Sequence, residues 1–337
     1  MSKNKLLVLD LRATATITYM GEDLTTSLEG KTDKFTYNDP ESGSSDDCSL
    51  TICDPEAKWI GAYFPNLGDR ITAKITVYDW LHKGDMRVLD CGEFVMDDPG
   101  FSGPPLKVSL KAVSKPAEGA FSAQERTQTW ENVTVQNMAQ EIASRSGIDL
   151  QYTASEVKVE SSEQNGQTDS DFIKKTCDEY GLSLKVYSNK LVIFDRESYK
   201  DKPAVCDIKA GDMISWNFKT TLAGTYTGGK MAYTNPDSED EVEMKVGTEQ
   251  RMLSVSGKAD SKDDAEKKIK AEVNKANENQ TTLSITIPGN PDLVSSQCVN
   301  VTGLEVADGK YYIKKVTHSV GGGYKTSLEL SKVVPSI

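Results

Sequence analysis

Histidine is nearly missing from this chain of 337 residues, which has only His82 and His318. No His-x-x-x-His spacing and no Cys-His motif can be written, so zinc or nucleophilic catalysis has little to build on. Cysteine is sparse as well. Cys48, Cys53, Cys91, Cys177, Cys206 and Cys298 are scattered without C-x-x-C knuckles, and only Cys48 and Cys53 lie close, flanking SLTI. That spacing argues against a metal site and for reduced thiols. No apolar run approaches the roughly 18 residues that cross a bilayer, so no membrane insertion is expected. At the N-terminus, LLVLDL is too short for a secretory core and is interrupted by Asp10, and it reads as a strand. Positive charge is in deficit: 39 basic against 51 acidic residues leave a net charge of -12. That balance opposes the phosphate backbone, so no tight nucleic-acid binding is expected. Tandem repeats of the kind that build fibres are absent too.

What is present is β structure. The length suits two or three domains of about 100 to 150 residues. Runs rich in Thr, Val, Ile and aromatics, such as ATATITYM (13 to 20), ITAKITVYDW (71 to 80) and LKVSLKAV (106 to 113), fill the first third between Gly, Pro and Asp clusters. DPEAKWIGAYF, from Asp54, offers an N-cap and a proline for one short helix. Residues 114 to 128 read as a linker. Beyond it Val135, Met138, Ala139 and Ile142 fall at helical spacing, as do Ile173, Thr176, Cys177 and Tyr180, with Gly147 and Gly181 placed to end the helices. LSLKVY and KLVIF pair around Ser188 and Asn189. Strands then return, broken by the acidic turn NPDSEDE and by one amphipathic helix at 262 to 277 that keeps Ala265, Ile269, Val273 and Ala276 on a narrow stripe. The other faces of this helix are charged, which places it on the outside of a β domain. The reading is a mainly β chain with an α+β insertion: a first β-barrel domain at 1–115, an α+β module at 116–200 and a second β-barrel domain at 201–337.

The first and last thirds can be aligned. Phe94 and Met96 fall opposite Tyr311 and Ile313, and Leu106, Val108, Leu110 and Ala112 fall opposite Tyr324, Thr326, Leu328 and Leu330, with inward and outward parity kept. Both hairpins turn through Gly-rich bends, GFSGPP and GGG. Two unrelated hairpins with ordinary turns explain the glycines equally well.

Candidate chemistry is thin. Asp169, Asp171, Asp178, Glu179, Asp195 and Glu197 are plentiful acids, but a glycosidase needs two carboxylates across a cleft, and Asp169 and Asp171 at a helix start suit the helix dipole. GTYTGGK (224 to 230) lacks the phosphate-loop spacing, and Gly228 and Gly229 read as a bend. Trp59, Trp80, Trp130 and Trp216 are irregularly spaced and read as core packing rather than a sugar platform. No catalytic, cofactor-binding or metal-binding residue is assigned and no cofactor is expected.

Several runs together resemble one family: SGPP followed by LKVSLKAVS, the W-x-N-x-T run at 130 to 134, SDFIKKTCDEYGLSLKVYSNKLVIFD at 170 to 195, ADSKDDAEKKIKA, TIPGNPDLVSSQCVNVTGL and DGKYYIKKVTHSVGGGYKTSLEL. They resemble the late control protein D family, the baseplate hub proteins of contractile-tailed phages and phage-derived particles, similar to the hub half of type VI secretion spikes. The resemblance implies two tail-tube-like β-barrels per chain and a homotrimer whose six barrels adapt a hexameric tail tube, or tube initiator, to a threefold central spike. It also implies baseplate wedge or adaptor proteins and the tape measure as neighbours, a place in the tail baseplate of a particle assembled in the bacterial cytoplasm, and no enzymatic role. A tail-associated cell-wall hydrolase and a receptor-binding adhesin are the alternatives.

Overall fold

In the segment Arg70–Tyr78, Ile71, Ala73, Ile75 and Val77 are buried while the residues between them face outward, the period-two pattern of a strand covered on one face. This alternation governs much of the chain, which is mainly β. The computed structural model describes residues 12–24, 32–61, 63–80, 82–114, 120–234 and 241–337. The expected strand at LLVLDL and residues 235–240 of the acidic turn lie outside the described residues.

The first strands are β1 (Arg12–Tyr19), β2 (Glu22–Asp23), β3 (Thr32–Pro40), β4 (Asp47–Cys53), β5 (Arg70–Tyr78), β6 (Met86–Ser102) and β7 (Lys107–Val113). The middle of the chain holds α1 (Ala120–Ala123), β8 (Glu125–Thr134), α2 (Val135–Arg145), β9 (Asp149–Tyr152), β10 (Lys158–Thr168), α3 (Asp169–Glu179), β11 (Leu182–Tyr187), β12 (Lys190–Asp195) and α4 (Arg196–Asp201). The remainder holds β13 (Asp207–Lys209), β14 (Ser215–Thr220), β15 (Gly228–Thr234), β16 (Glu241–Gly247), β17 (Met252–Ser254), α5 (Lys262–Asn277), β18 (Thr281–Pro288), β19 (Cys298–Thr302), β20 (Gly309–Val320) and β21 (Tyr324–Lys332).

Strands from both ends of the chain share one 13-stranded sheet, ordered β14-β18-β21-β20-β3-β4-β7-β6-β5-β1-β2, with β19 and β13 branching from β20. The join is antiparallel pairing of β20 with β3, from Lys315 opposite Pro40 to Val320 opposite Phe35. The path stays open at β14 and β2, so the described residues of one chain form no closed barrel.

Within that sheet the two strand sets repeat one order. β3-β4-β7-β6-β5 matches β14-β18-β21-β20-β19, every neighbouring pair antiparallel in both. The register agrees to the residue. The β6–β7 ladder slips between Met96 and Asp98, and the β20–β21 ladder slips between Ile313 and Lys315. Before each bulge the backbone makes the same pair of bonds: the Met96 N–H donates to the Asp69 carbonyl and the Met96 carbonyl accepts from the Gly68 N–H, while the Ile313 N–H donates to the Gln297 carbonyl and the Ile313 carbonyl accepts from the Ser296 N–H. Gly68 and Ser296 both have positive φ, at 91° and 65°. Shared glycines alone are compatible with chance. A shared strand order, bulge position and left-handed residue are the marks of a repeated unit.

Apolar side chains gather in separate clusters. Phe35, Leu50, Ile75, Phe94 and Leu110 belong to one, and Leu283, Ile285, Tyr311, Ile313 and Leu328 to its counterpart. A third, with Met138, Ile142, Phe172, Ile173, Leu191 and Ile193, fills the space between α2, α3 and the small sheet β11-β12-β9. The helix ends follow their capping chemistry: Thr134, Thr168 and Ser261 each accept a bond from a backbone N–H in the first turn, and Gly147 and Gly181 take φ of 65° and 69° after the helices.

Four expectations change. The described residues between Asp54 and Asp69 form turns and no helix; the Asp54 carboxylate does accept from the N–H groups of Lys58 and Trp59, but Ala57 at φ 54° diverts the chain from a helical path. The linker reading of 114 to 128 gives way at α1, whose Phe121 is buried, and again at Glu125, where β8 begins and pairs with β10. α5 packs on a small sheet of its own, β16-β15-β17, and against α3, not on the flank of the large sheet. Gly228 and Gly229 open β15 rather than bend the chain, and a β-carbon on Gly229 would stand 2.7 Å from Ile269 and 2.8 Å from Val273 of α5.

Candidate functional site

The acids weighed as catalytic candidates are dispersed and engaged. Asp169 opens α3 as expected but is fully buried, its carboxylate held by the Arg145 guanidinium and by the Gln164 side chain, with Arg126 3.3 Å away. Nothing in the sequence marked Arg145, which lies on α2, as its partner. Asp171 takes the Thr168 hydroxyl, Asp178 pairs with Lys275 of α5 at 3.2 Å, Asp195 caps α4, and Glu197 pairs with Lys200 at 2.7 Å. Glu179 lines a polar groove of about 400 Å³ between α3, β10 and α5; burial raises its pKa, with Lys268 and Lys175 opposing. No three His, Cys, Asp or Glu side chains form a metal-binding group among the described residues.

Trp130 is buried and stacks on Phe172, whereas Trp59 and Trp80 pack at the margin of the first cluster. Trp216 is exposed, against the core-packing expectation. His82 is solvent-facing in the turn before β6; His318 is buried, bonded to the Leu293 carbonyl at 3.0 Å and the Tyr324 hydroxyl at 2.8 Å. Burial lowers its pKa to about 4, with the Leu293 bond and Asp39 partly offsetting.

Two charge clusters tie the parts of the chain together. Arg196 at the start of α4 donates to Glu41 at 2.8 Å and to Glu278 at 3.2 Å. Glu278 also takes Lys200 at 3.1 Å and Lys314 at 2.7 Å. Lys314 is the bulged residue of β20, so the extra residue in that ladder aims an ammonium at Glu278 and at Glu41, also 2.7 Å away. Burial by itself would raise Glu278, but Arg196, Lys314 and Lys200 outweigh it and hold the carboxyl at about 2. In the neighbouring cluster Lys185 of β11 bridges Asp39 and Asp46, Tyr37 donates to Asp46 at 2.6 Å, and Ser295 donates to Asp39 at 2.6 Å. Burial pushes Asp46 up to about 7 despite Lys185, and Asp39 adds to the rise. These contacts fix the helical module to both strand sets at once.

What the arrangement leaves open is sheet edge. Among the described residues β6 beyond Met96 pairs only with β7, and its Phe101 is 59% exposed and meets Phe64 edge-on at 6.0 Å; Tyr63 and Leu67, close to Phe64 in sequence, are exposed too. At the far end of the sheet β14 pairs only with β18 among the described residues, and its Trp216 is 55% exposed, with Ile214 and Leu222 nearby in sequence exposed as well. Unpaired ladders with apolar side chains are sites for another strand.

No family model matches the sequence, and no curated protein matches it. Solved structures do. A 43 kDa tail protein of prophage MuSo2 from Shewanella oneidensis superposes with a TM-score of 0.73 at 15% identity, covering 95% of this chain and 98% of that one. A tail protein from Neisseria meningitidis gives 0.72 at 13% identity, covering 95% and 96%. The E. coli c3393 protein, a component of the type VI secretion system, gives 0.56 at 12% identity, covering 90% of this chain and 74% of that chain. The chain has the fold of these tail proteins and of this secretion-system component, in agreement with the resemblance its sequence carries.

Proposed function

We propose that the chain is a structural baseplate hub of the late control protein D kind, a homotrimer that adapts a hexameric tail tube to a threefold spike. The carrying observation is the repeated strand order, β3-β4-β7-β6-β5 and β14-β18-β21-β20-β19, within one chain. Two like units per chain turn threefold closure into six similar positions, which is what a sixfold tube requires of its neighbour. In this reading residues 1–115 and 201–337 are the two tube-like β units and 116–200 is the α+β module that buttresses them. Tube or tube initiator meets one face and the spike the other, with wedge or adaptor proteins and tape measure around them, in the tail baseplate of a particle. The tail-protein and type VI likenesses support that setting. The chain is read as non-enzymatic. The weighed acids serve ion pairs and caps, which does not favour a cell-wall hydrolase.

Counting copies tests it. Imaging of the intact particle is expected to place three chains between tube and spike. Any other copy number in that layer, or clearing of purified peptidoglycan by the isolated chain, overturns the reading.

A further inference from the structure

The chain contains a worked example of how one of its own units joins the next. On the second unit, the part of β20 beyond the bulge pairs with β3 of the first, with His318 opposite Tyr37 and Val320 opposite Phe35. The rings of His318 and Tyr37 stack 6.1 Å apart, and His318, Tyr37 and Phe35 are all buried. On the first unit the equivalent segment of β6, after its own bulge, has no strand beyond it among the described residues, and the counterpart of β3 is β14, which among those residues is also unpaired on its outer side. Each chain therefore carries one joined edge pair and one split pair.

The register of the split pair follows from the matched ladders. Tyr37 lies opposite Cys48, which lies opposite Ala112; Phe218 lies opposite Leu283, which lies opposite Leu330. Ala112 and Leu330 are the partners of Met96 and Ile313, the last residues before the two bulges. Tyr37 thus corresponds to Phe218, Phe35 to Trp216, and His318 to Phe101. Thr221 N–H bonds to Gln280 across β18, so alternation turns the backbone groups of Thr220, Phe218 and Trp216 outward, the same parity that β3 offers to β20.

We propose that β14 of one copy adds to the outer edge of β6 in the next, antiparallel, with Phe218 opposite Phe101, Trp216 opposite Gly103 and Thr220 opposite Pro99. The joint rests on the hub reading for its copy number, but its edges and register do not depend on that number. It is a head-to-tail contact between copies of this chain, and such contacts form a ring when the rotation closes. It covers the two exposed aromatics at the places where their counterparts are buried, and a glycine opposite Trp216 leaves room for the indole. Pro99 lacks an N–H and removes one bond from the ladder, which keeps the edge weak towards strands without matching aromatics.

The test is oxidation of the full-length double variant Phe101→Cys with Phe218→Cys, with each single variant as control. Paired residues in such a ladder sit with α-carbons about 5.5 Å apart, inside the range of about 4.4–6.8 Å that a disulfide spans. The expected result is inter-chain disulfides in the double variant only, with a largest species of three chains. The full chain with Trp216→Arg, a change at an exposed position, is expected to stay folded by circular dichroism and to lose the oligomer. A disulfide-linked ring of another size keeps this joint and overturns the trimeric hub. A native trimer that gives no disulfide and survives Trp216→Arg overturns the joint and leaves the hub reading standing. A disulfide closed within one chain, or a chain that stays monomeric and uncrosslinked, also overturns the joint.

Discussion

His318 and Asp46 lie on opposite sides of the pH balance. Burial keeps the imidazole neutral down to about 4, against 6.5 for a free histidine, so as pH falls the unfolded chain takes up the proton first. Its contribution to stability is full above 6.5 and is lost as pH falls through about 4. Asp46 has the opposite sign: its carboxyl ionises near 7 rather than 3.8, so its contribution is full below 3.8 and lost as pH rises through about 7. Over the shared window the two slopes partly cancel. Thermal melts of His318→Gln are expected to lose less stability than the parent between pH 6.5 and 4, and those of Asp46→Asn to lose less between pH 4 and 7. A parental slope in His318→Gln would show that the buried imidazole is not the acid-sensitive group. The sequence displayed both residues and neither environment, because His318 is covered where β20 meets β3 and Asp46 meets Lys185 of β11 from far along the chain.

At the scale of elements, α5 shows how a correct period can carry a wrong address. Its apolar stripe is real, with Ala265, Ile269 and Val273 fully buried. What the stripe faces is the small sheet β16-β15-β17, inserted between β14 and β18, where the first unit has only the short connection from β3 to β4. The close approach depends on Gly229 having no side chain. Gly229→Ala is expected to cost about 1–3 kcal/mol through overpacking. The readout is a lower urea midpoint with an unchanged slope, and a midpoint equal to the parent's would mean that α5 does not press on this strand.

At the scale of the whole molecule, the strand sets and the helical module are bound by continuous sheet and by buried charge. Arg196, Glu41, Glu278, Lys200 and Lys314 come from four distant stretches of sequence and meet where water is scarce. Removing one partner of such a cluster leaves the others buried and uncompensated, a loss of about 3–5 kcal/mol. Arg196→Met is expected to lower the melting temperature and to split a single calorimetric transition into two as the module uncouples. One unsplit transition at the parental temperature would place the coupling in the sheet alone.

The sequence by itself determined most local elements and the matching register of two hairpins, since period-two and period-3.6 patterns, caps and turn residues act within a few residues of one another; that the hairpins belong to a repeated strand order came from the tertiary structure. The pairing of Met96 with Ile313 and of Ala112 with Leu330 was legible there because register is fixed by side-chain parity. Only the tertiary structure decided that β20 joins β3, that Arg145 holds Asp169, and that Trp216 and Phe101 stay uncovered. Those outcomes depend on which distant edges meet and which charges share a buried space, and no local pattern encodes a partner on another element.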